Sequence, residues 1–520
     1  MKNGILRKVL NKSFLTIIFL IIPLYIFWDT GIHSDDYTVI DQAKNTDFFD
    51  FINPNPNVRG QNTFGIFNHY FFYWAYGVFG NHNQWIYDIF KWIIHILSIY
   101  LIYIFSLDYL KKDRAILVSF LFVFFPIHDS TTYWYMTTAY IFTPALIMYS
   151  HYLYRHEKVI IGFPLLIVAS LLSYSSPPYI FGLASIFLIE KLYKKLILFL
   201  IPGILYTVFY LVISLTFPDG VEKRLDTTLT LTKLTKNYLL QLFSSLDVII
   251  GPSFWIKIYF SITSISLISI LLSLFVIFFL NAKLLSKKPT FPLSLILSLS
   301  LVLLLSLAMF ALTGLYTQIS FNLGNRVTLY SSLLVSFFLA TLPITKKYLL
   351  LLAIIFVLPV FGLSDYWKSW NQHQKIIIHN IETNKDFKLI NPGDALLVSG
   401  NIYSKMGRFS HIEFFSAPWV VRSIFKDSVK TENIIALTSY IYLKNNKLID
   451  QKFKNNINLS KKIYLYQSDK NLLSKISISD IPLILDKRPK EIRHWVQLLN
   501  YQPVKSFIIY LSPRLKYLFI

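Results

Sequence analysis

Apolar runs recur along the first 364 residues, most of them close to the roughly 20 residues a helix needs to cross the hydrocarbon of a bilayer. They lie near 13–29, 84–107, 115–127, 133–154, 159–174, 177–190, 196–216, 257–280, 292–312, 327–345 and 348–364. The pattern predicts about eleven transmembrane helices, the third, fifth and sixth of them short. Two stretches break it. The first connection, 30–83, carries turn residues at Asn53-Pro54-Asn55-Pro56-Asn57 and then an aromatic segment, Phe64 to Phe79, that Asn68 and His69 make too polar for a span. Its Tyr and Trp content predicts a helix lying in the membrane interface. From 365 to 520 the chain turns polar, rich in Asn and Lys, with strand-like runs at Ala395–Ser399 and Lys462–Tyr466 separated by helical patterns. The expected organisation is a transmembrane domain over 1–364 and a small mixed α/β domain over 365–520.

Composition agrees with an α-helical polytopic membrane protein: 54% of residues are hydrophobic, 17% aromatic and only 15% charged, a balance no soluble domain carries without aggregating. A net charge of +22 on one soluble face would suggest nucleic acid. Here the cations fall instead in short clusters between apolar runs, so no nucleic-acid partner is expected. The clusters are Lys2, Arg7, Lys8 and Lys12; Lys111, Lys112 and Arg114; Arg155 and Lys158; Lys191, Lys194 and Lys195; Lys283, Lys287 and Lys288; and Lys346 and Lys347. They occupy alternate connections, which predicts a cytoplasmic N-terminus and an extracytoplasmic 365–520 domain; the expected membrane is the plasma (inner) membrane. The basic start lacks a small-residue cleavage site, so the first span is expected to remain. Cysteine is absent, which excludes disulfides, thiolate catalysis and Cys-ligated metal centres.

Against that background a few polar groups stand out. Asp35-Asp36 follows the first span on the outer side. A partly desolvated carboxylate there could be a general base for an acceptor hydroxyl or amine, and it could equally cap the next helix. His128-Asp129, followed by Tyr133-Trp134-Tyr135, occupies the next outer turn; this group could bind a sugar or a cation, or be a solvated turn. Asp88, Lys91 and His95 share one face of the second span. Intramembrane charges of this kind serve function or pair with one another, and Lys91 is deep enough to meet a lipid phosphate or to be satisfied by Asp88. Arg59 and Arg326 sit in or beside outer loops, where charge orientation disfavours them and phosphate recognition would favour them.

The order of these parts resembles the integral-membrane glycosyltransferases of the GT-C superfamily. It consists of one outward span, a long outer loop opening on an acidic pair, an arginine late in that loop, an interfacial helix, a span with His95, a basic turn, and Phe125-Pro126-Ile127-His128-Asp129 before an aromatic run. The resemblance is clearest over 13–155 and points to the protein O-mannosyltransferase (family 39) type and to bacterial relatives that modify lipid A or other envelope glycans. It implies an inverting hexosyl- or pentosyltransferase that moves a sugar from a polyprenyl-phosphate-linked donor to a lipid, polysaccharide or protein acceptor of the cell envelope. The catalytic base would be Asp35 or Asp36, with Asp35 favoured as the first of the pair, and Asp129 would match a further acidic residue. Arg59, Lys91, His95, His128, Asp129 and Arg326 are the expected substrate-binding residues. A divalent cation, Mg2+ or Mn2+, would have Asp36 and Asp129 as candidate ligands. The chain departs from the family in carrying Asp-Asp where the mannosyltransferases carry Asp-Glu, and Asp129 lies outside an Asp-x-Asp triplet. A polysaccharide polymerase or ligase would place more weight on arginine-bearing loops, and a flippase or transporter on ionisable residues at the midplane of paired spans.

Overall fold

A computed structural model describes residues 20–43, 66–216, 229–283, 291–343, 346–496 and 502–511, apart from a few single positions. Seven described helical segments are long and apolar enough to cross a membrane: 84–106, 112–133, 193–212, 231–263, 293–313, 323–341 and 350–383. Three shorter apolar helices, Val159–Leu172, Ser176–Ile189 and Leu267–Phe278, accompany them. Large apolar side chains such as Ile160, Leu231, Leu267 and Phe278 stand exposed on these helices, a surface that only lipid tolerates. The protein is an integral membrane protein. Of the expected first span, 13–29, residues 20–29 are described and contain helix Ile22–Phe27, while 13–19 lie outside the described residues.

Leu293–Thr313 shows how the sequence builds such a helix. It starts after Pro292, buries Leu295, Ser298, Leu299, Val302, Ser306 and Phe310 along one stripe, and stops at Gly314, whose φ of 58° lets its N–H close on the Phe310 carbonyl. Helix Thr138–Arg155, by contrast, is buried almost all round and packs along Gln84–Ser106, which exposes Trp85, Ile93, Leu97 and Tyr100 on its other side.

Between 217 and 280 the arrangement differs from the sequence expectation. The connection expected over 217–256 contains helix Leu231–Ile249, and the expected span 257–280 is two helices, Pro252–Thr263 and Leu267–Lys283. Thr230 caps the first of the three. Gly251-Pro252 then restarts the chain, with Pro252 in the first turn of the next helix, where its missing N–H leaves no bond unmade. The next break, at 264–266, is held open by Asp365, whose carboxylate accepts the Ser266 N–H at 2.7 Å. The division expected at 364/365 falls inside one continuous helix, Lys346–Thr383. No glycine or proline interrupts it after Gly362, and Trp367, Asn371, Gln374, Ile377 and Ile381 continue a buried stripe at helical spacing. Gly362 allows this helix to lie on Pro252–Thr263: a Cβ there would come within 1.8 Å of the Ser261 carbonyl oxygen. Small residues permit such close helix contact in membranes.

The C-terminal domain forms on the far end of the long helix. Strand β1 (Ala395–Ser399) pairs in parallel with β4 (Ile434–Ala436) and β8 (Ile463–Gln467), and β9 (Leu472–Ile476) adds to β8 in antiparallel. The two strand-like runs of the sequence are thus the central neighbours of this sheet. β1 is buried on both faces, as expected of a parallel core strand. The hairpin β2–β3 (Tyr403–Met406, Phe409–Glu413) and a three-stranded antiparallel sheet, β5–β7 (Ile441–Lys444, Lys447–Asp450, Asn456–Asn458), flank it. Hairpin strand β3 and helix Pro418–Phe425 reach back to the transmembrane domain.

Candidate active site

The turn before the acidic pair is tightly held. Asp29, Gly31 and Ser34 all have positive φ, near 62°, 64° and 50°. Gly31 has no room for a side chain, since a Cβ would lie 2.1 Å from the Asn371 amide. The exposed N–H groups of this left-handed turn converge on Asp88, whose carboxylate accepts from Asp29 N (2.9 Å), Gly31 N (2.9 Å) and Thr30 Oγ1 (3.0 Å). Lys91 completes the arrangement with an ion pair to Asp88 at 2.9 Å and hydrogen bonds to Thr30 Oγ1, Gly31 O and Tyr133 O at 2.7, 2.7 and 2.9 Å. An ammonium has three hydrogens, so as arranged Lys91 has none left for a lipid phosphate. The Asp88–Lys91 part of the stripe anchors the 29–34 turn, and through it the residues that follow.

Those residues divide in role. Asp36 is fully buried; one oxygen accepts the His33 N–H at 2.7 Å and the other accepts the Tyr76 hydroxyl. Tyr76 belongs to the helical 66–79 segment, so the aromatic stretch of the first outer connection packs on the acidic pair with one face and exposes Phe71 and Val78 with the other. Burial pushes the Asp36 carboxyl up to about 7, against the two hydrogen bonds and the Lys91 charge, which favour ionisation. Asp35, by contrast, is only partly buried. Among the described residues it has one hydrogen-bond partner, the Trp419 indole N–H at 2.6 Å. Burial raises its pKa, helped by the Glu413 charge, while the Trp419 bond and the charges of Arg326 and Lys452 act the other way.

Arg326 lies on the short 3-10 turn Leu323–Thr328. It donates to the Leu323 carbonyl (3.1 Å) and lies over the rings of Trp134 (5.6 Å) and Tyr316 (5.5 Å). Its Nε finds no acceptor, and among the described residues no carboxylate forms an ion pair with it. Trp134 in turn donates to the His33 carbonyl at 2.9 Å, so the aromatic wall under the arginine and the turn under Asp35 are one construction. Glu413 binds Asn322, Ser416 and Arg493. Burial alone would raise it, but Lys452 and Arg493 hold it down to about 2, so it is ionised.

The remaining expected residues lie elsewhere. Arg59 is outside the described residues. His128 spends both ring nitrogens within the structure, on Thr131 Oγ1 (2.7 Å) and the Phe122 carbonyl (2.8 Å). His95 is buried against Phe27 and Phe124, with Nδ1 on the Lys91 carbonyl. Asp129 is the centre of a second buried cluster. One oxygen accepts from Lys257 Nζ (2.9 Å) and Asn325 Nδ2, the other from Trp367 Nε1 (2.8 Å) and His411 Nε2 (2.8 Å). Since the Asn322 N–H donates to His411 Nδ1 at 3.1 Å, the ring proton sits on Nε2 and points at Asp129. Burial and the neighbouring Lys257 lower the His411 pKa, which keeps the ring neutral. Both carboxylate oxygens of Asp36 and of Asp129 accept from N–H or O–H donors, and Asp129 has an ammonium against it.

Sequence reasoning passed over Lys257, Trp367, His411, Glu413 and Trp419. Lys257 had a signal, as a lone cation in an apolar run. Trp419 and His411 had none, because their partners Asp35 and Asp129 are hundreds of residues away in the chain.

No family model matches the chain, and no curated protein does. Among solved structures, the crystal structure of ArnT from Cupriavidus metallidurans bound to undecaprenyl phosphate is similar, with a TM-score of 0.40 and 9% identity over 81% of this chain and 86% of that one.

Proposed function

We propose that this protein is a glycosyltransferase of the GT-C type that moves a sugar from a polyprenyl-phosphate donor to an envelope acceptor at the outer membrane face. The observation that carries the reading is the shared construction that holds Asp35 and Arg326: among the described residues Asp35 is a partly exposed carboxylate with one hydrogen bond, Arg326 forms no ion pair and keeps an Nε–H without an acceptor, and Trp134 lies under the arginine while holding the turn before Asp35. The order of parts over 13–155 supports the same class.

In this mechanism Arg326 holds the donor phosphate where the lipid chain can remain in the bilayer. Asp35 accepts the proton of the acceptor hydroxyl or amine as that group attacks the anomeric carbon. The new glycosidic bond forms as the bond to phosphate oxygen breaks, the anomeric centre inverts because the attack is single and in line, and polyprenyl phosphate leaves with its charge stabilised by the arginine. Trp134 and Tyr316 lie beneath the arginine, and Trp419 lies against the carboxylate. Comparing envelope glycans and lipids from cells with and without the protein tests the assignment. The expected result is the loss of one sugar from one acceptor, and an unchanged envelope would remove the proposal.

The orientation required is a cytoplasmic N-terminus with Asp35, Arg326 and the C-terminal domain outside. Reporter fusions at Lys112, Lys288 and the C-terminus are expected to read inside, inside and outside. A C-terminus that reads inside would put the candidate site on the wrong face.

A further inference from the structure

We propose that Trp419, carried by the C-terminal domain, is a positioning residue for the Asp35 carboxylate, so that the site is complete only when that domain is seated. The inference rests on Asp35 as the base and assigns a role to a residue 384 positions away in the chain.

The geometry leaves the indole little freedom. Trp419 sits in the first turn of helix Pro418–Phe425, whose Pro418, Val420, Val421 and Phe425 are buried in the domain core, while Trp419 itself remains 42% exposed. Its ring stands edge-on to Phe453 at 4.8 Å, and Lys452 lies over Phe453 and Tyr440 at 4.8 and 5.3 Å. At the other end of the same two helices Lys426 grips Asp41 at 2.9 and 3.0 Å. Helices Asp35–Ala43 and Pro418–Phe425 are therefore clamped twice, and only the Trp419 clamp lands on the proposed base.

The chemistry of an indole explains the choice of residue. Its N–H donates and cannot accept, so it favours the ionised carboxylate over the acid. It fixes Oδ1 and leaves Oδ2 for the acceptor's proton. A hydroxyl in its place could take a proton from the acid form as readily as give one to the carboxylate. The other charges facing Asp35 are Asp36 on its own helix, Arg326 from the 323–328 turn, and Glu413 and Lys452 from the C-terminal domain. Trp419→Phe alters none of these residues, and the ring kept at 419 still packs on Phe453 beside Lys452.

The test is pH-difference infrared spectroscopy of the full-length protein in lipid nanodiscs, with the Asp35 carboxyl band assigned as the one that Asp35→Asn abolishes. Trp419→Phe keeps the ring and removes the N–H, so the pH midpoint of that band should rise by about one unit, the effect of a hydrogen bond to a charged group. Benzothienylalanine at position 419, which has the indole's shape without its N–H, should do the same. Lys426→Ala, which loosens the same helix pair away from Asp35, should leave the midpoint in place. An unmoved midpoint in both Trp419 variants, or an equal move in Lys426→Ala, overturns the proposal. Full transfer by Asp35→Asn would instead remove the base assignment and leave the infrared result standing.

Discussion

Asp35→Asn is expected to be made and folded at wild-type levels and to transfer sugar about 100- to 10,000-fold more slowly, the range that general-base assistance supplies. The amide keeps the size of the carboxylate and can still accept the Trp419 N–H through its oxygen. What it loses is the ability to take a proton. Asp36→Asn should separate from it in kind. Asp36 accepts on both oxygens, from His33 N and Tyr76 Oη, so an amide NH2 must face either the His33 N–H or Tyr76, whose hydroxyl then accepts from it and loses the present acceptor of its own proton. The cost is an unmet buried hydrogen bond, about 1–3 kcal/mol, and it should appear as lower thermal stability and expression. Wild-type pH dependence supplies a further check. A base must be ionised, and burial raises the Asp35 pKa. The rate should therefore climb with pH through a limb above the ordinary carboxylate range, and Asp35→Asn should flatten that limb. Equal transfer by wild type and Asp35→Asn would leave the acidic pair a structural device.

The contrast between the two aspartates also marks how far the sequence could be read. Position and residue type made the pair visible, and the run of apolar segments made the membrane visible, because both are local properties of the chain. The strands Ala395–Ser399 and Ile463–Gln467, the latter read from the sequence as Lys462–Tyr466, were legible for the same reason: short apolar runs between polar turns. Which aspartate faces outward is not local. It is set by Tyr76 from the 66–79 segment and by Trp419 from another domain, neither of which leaves a mark near residue 35. Lys91 makes the same point from the opposite direction. Its depth and charge read equally well as a phosphate ligand or a satisfied pair, and only the convergence of Thr30, Gly31 and Tyr133 on one ammonium distinguishes them. The division expected at 364/365 falls inside helix Lys346–Thr383, because polarity changes there while helical periodicity does not.

The cluster around Asp129 carries the second large expectation. Asp129, Lys257, Asn325, Trp367 and His411 come from four parts of the transmembrane domain and from strand β3, and all five are essentially excluded from solvent. Lys257→Met removes the cation from the pair, leaving the carboxylate with neutral donors only and the Ser320 carbonyl without its ammonium. Breaking one side of a buried pair costs about 3–5 kcal/mol, whereas replacing both partners by apolar groups is often close to neutral. Lys257→Met should therefore lower the unfolding temperature in detergent by several degrees, and adding Asp129→Asn, which removes the unpaired charge but keeps an acceptor oxygen for Trp367 and His411, should recover part of that loss. Recovery by the double variant is what distinguishes an uncompensated charge from simple loss of packing, which would add to the damage. The consequence reaches the candidate site, because His411 lies two residues from Glu413 and ties β3 to Asp129. A loosened β3 should free the C-terminal domain from the bundle, so Lys257→Met should also speed proteolysis between residues 384 and 394, where the chain leaves the long helix. Wild-type melting and wild-type cleavage in Lys257→Met would mean that the ion pair holds neither the bundle nor the domain.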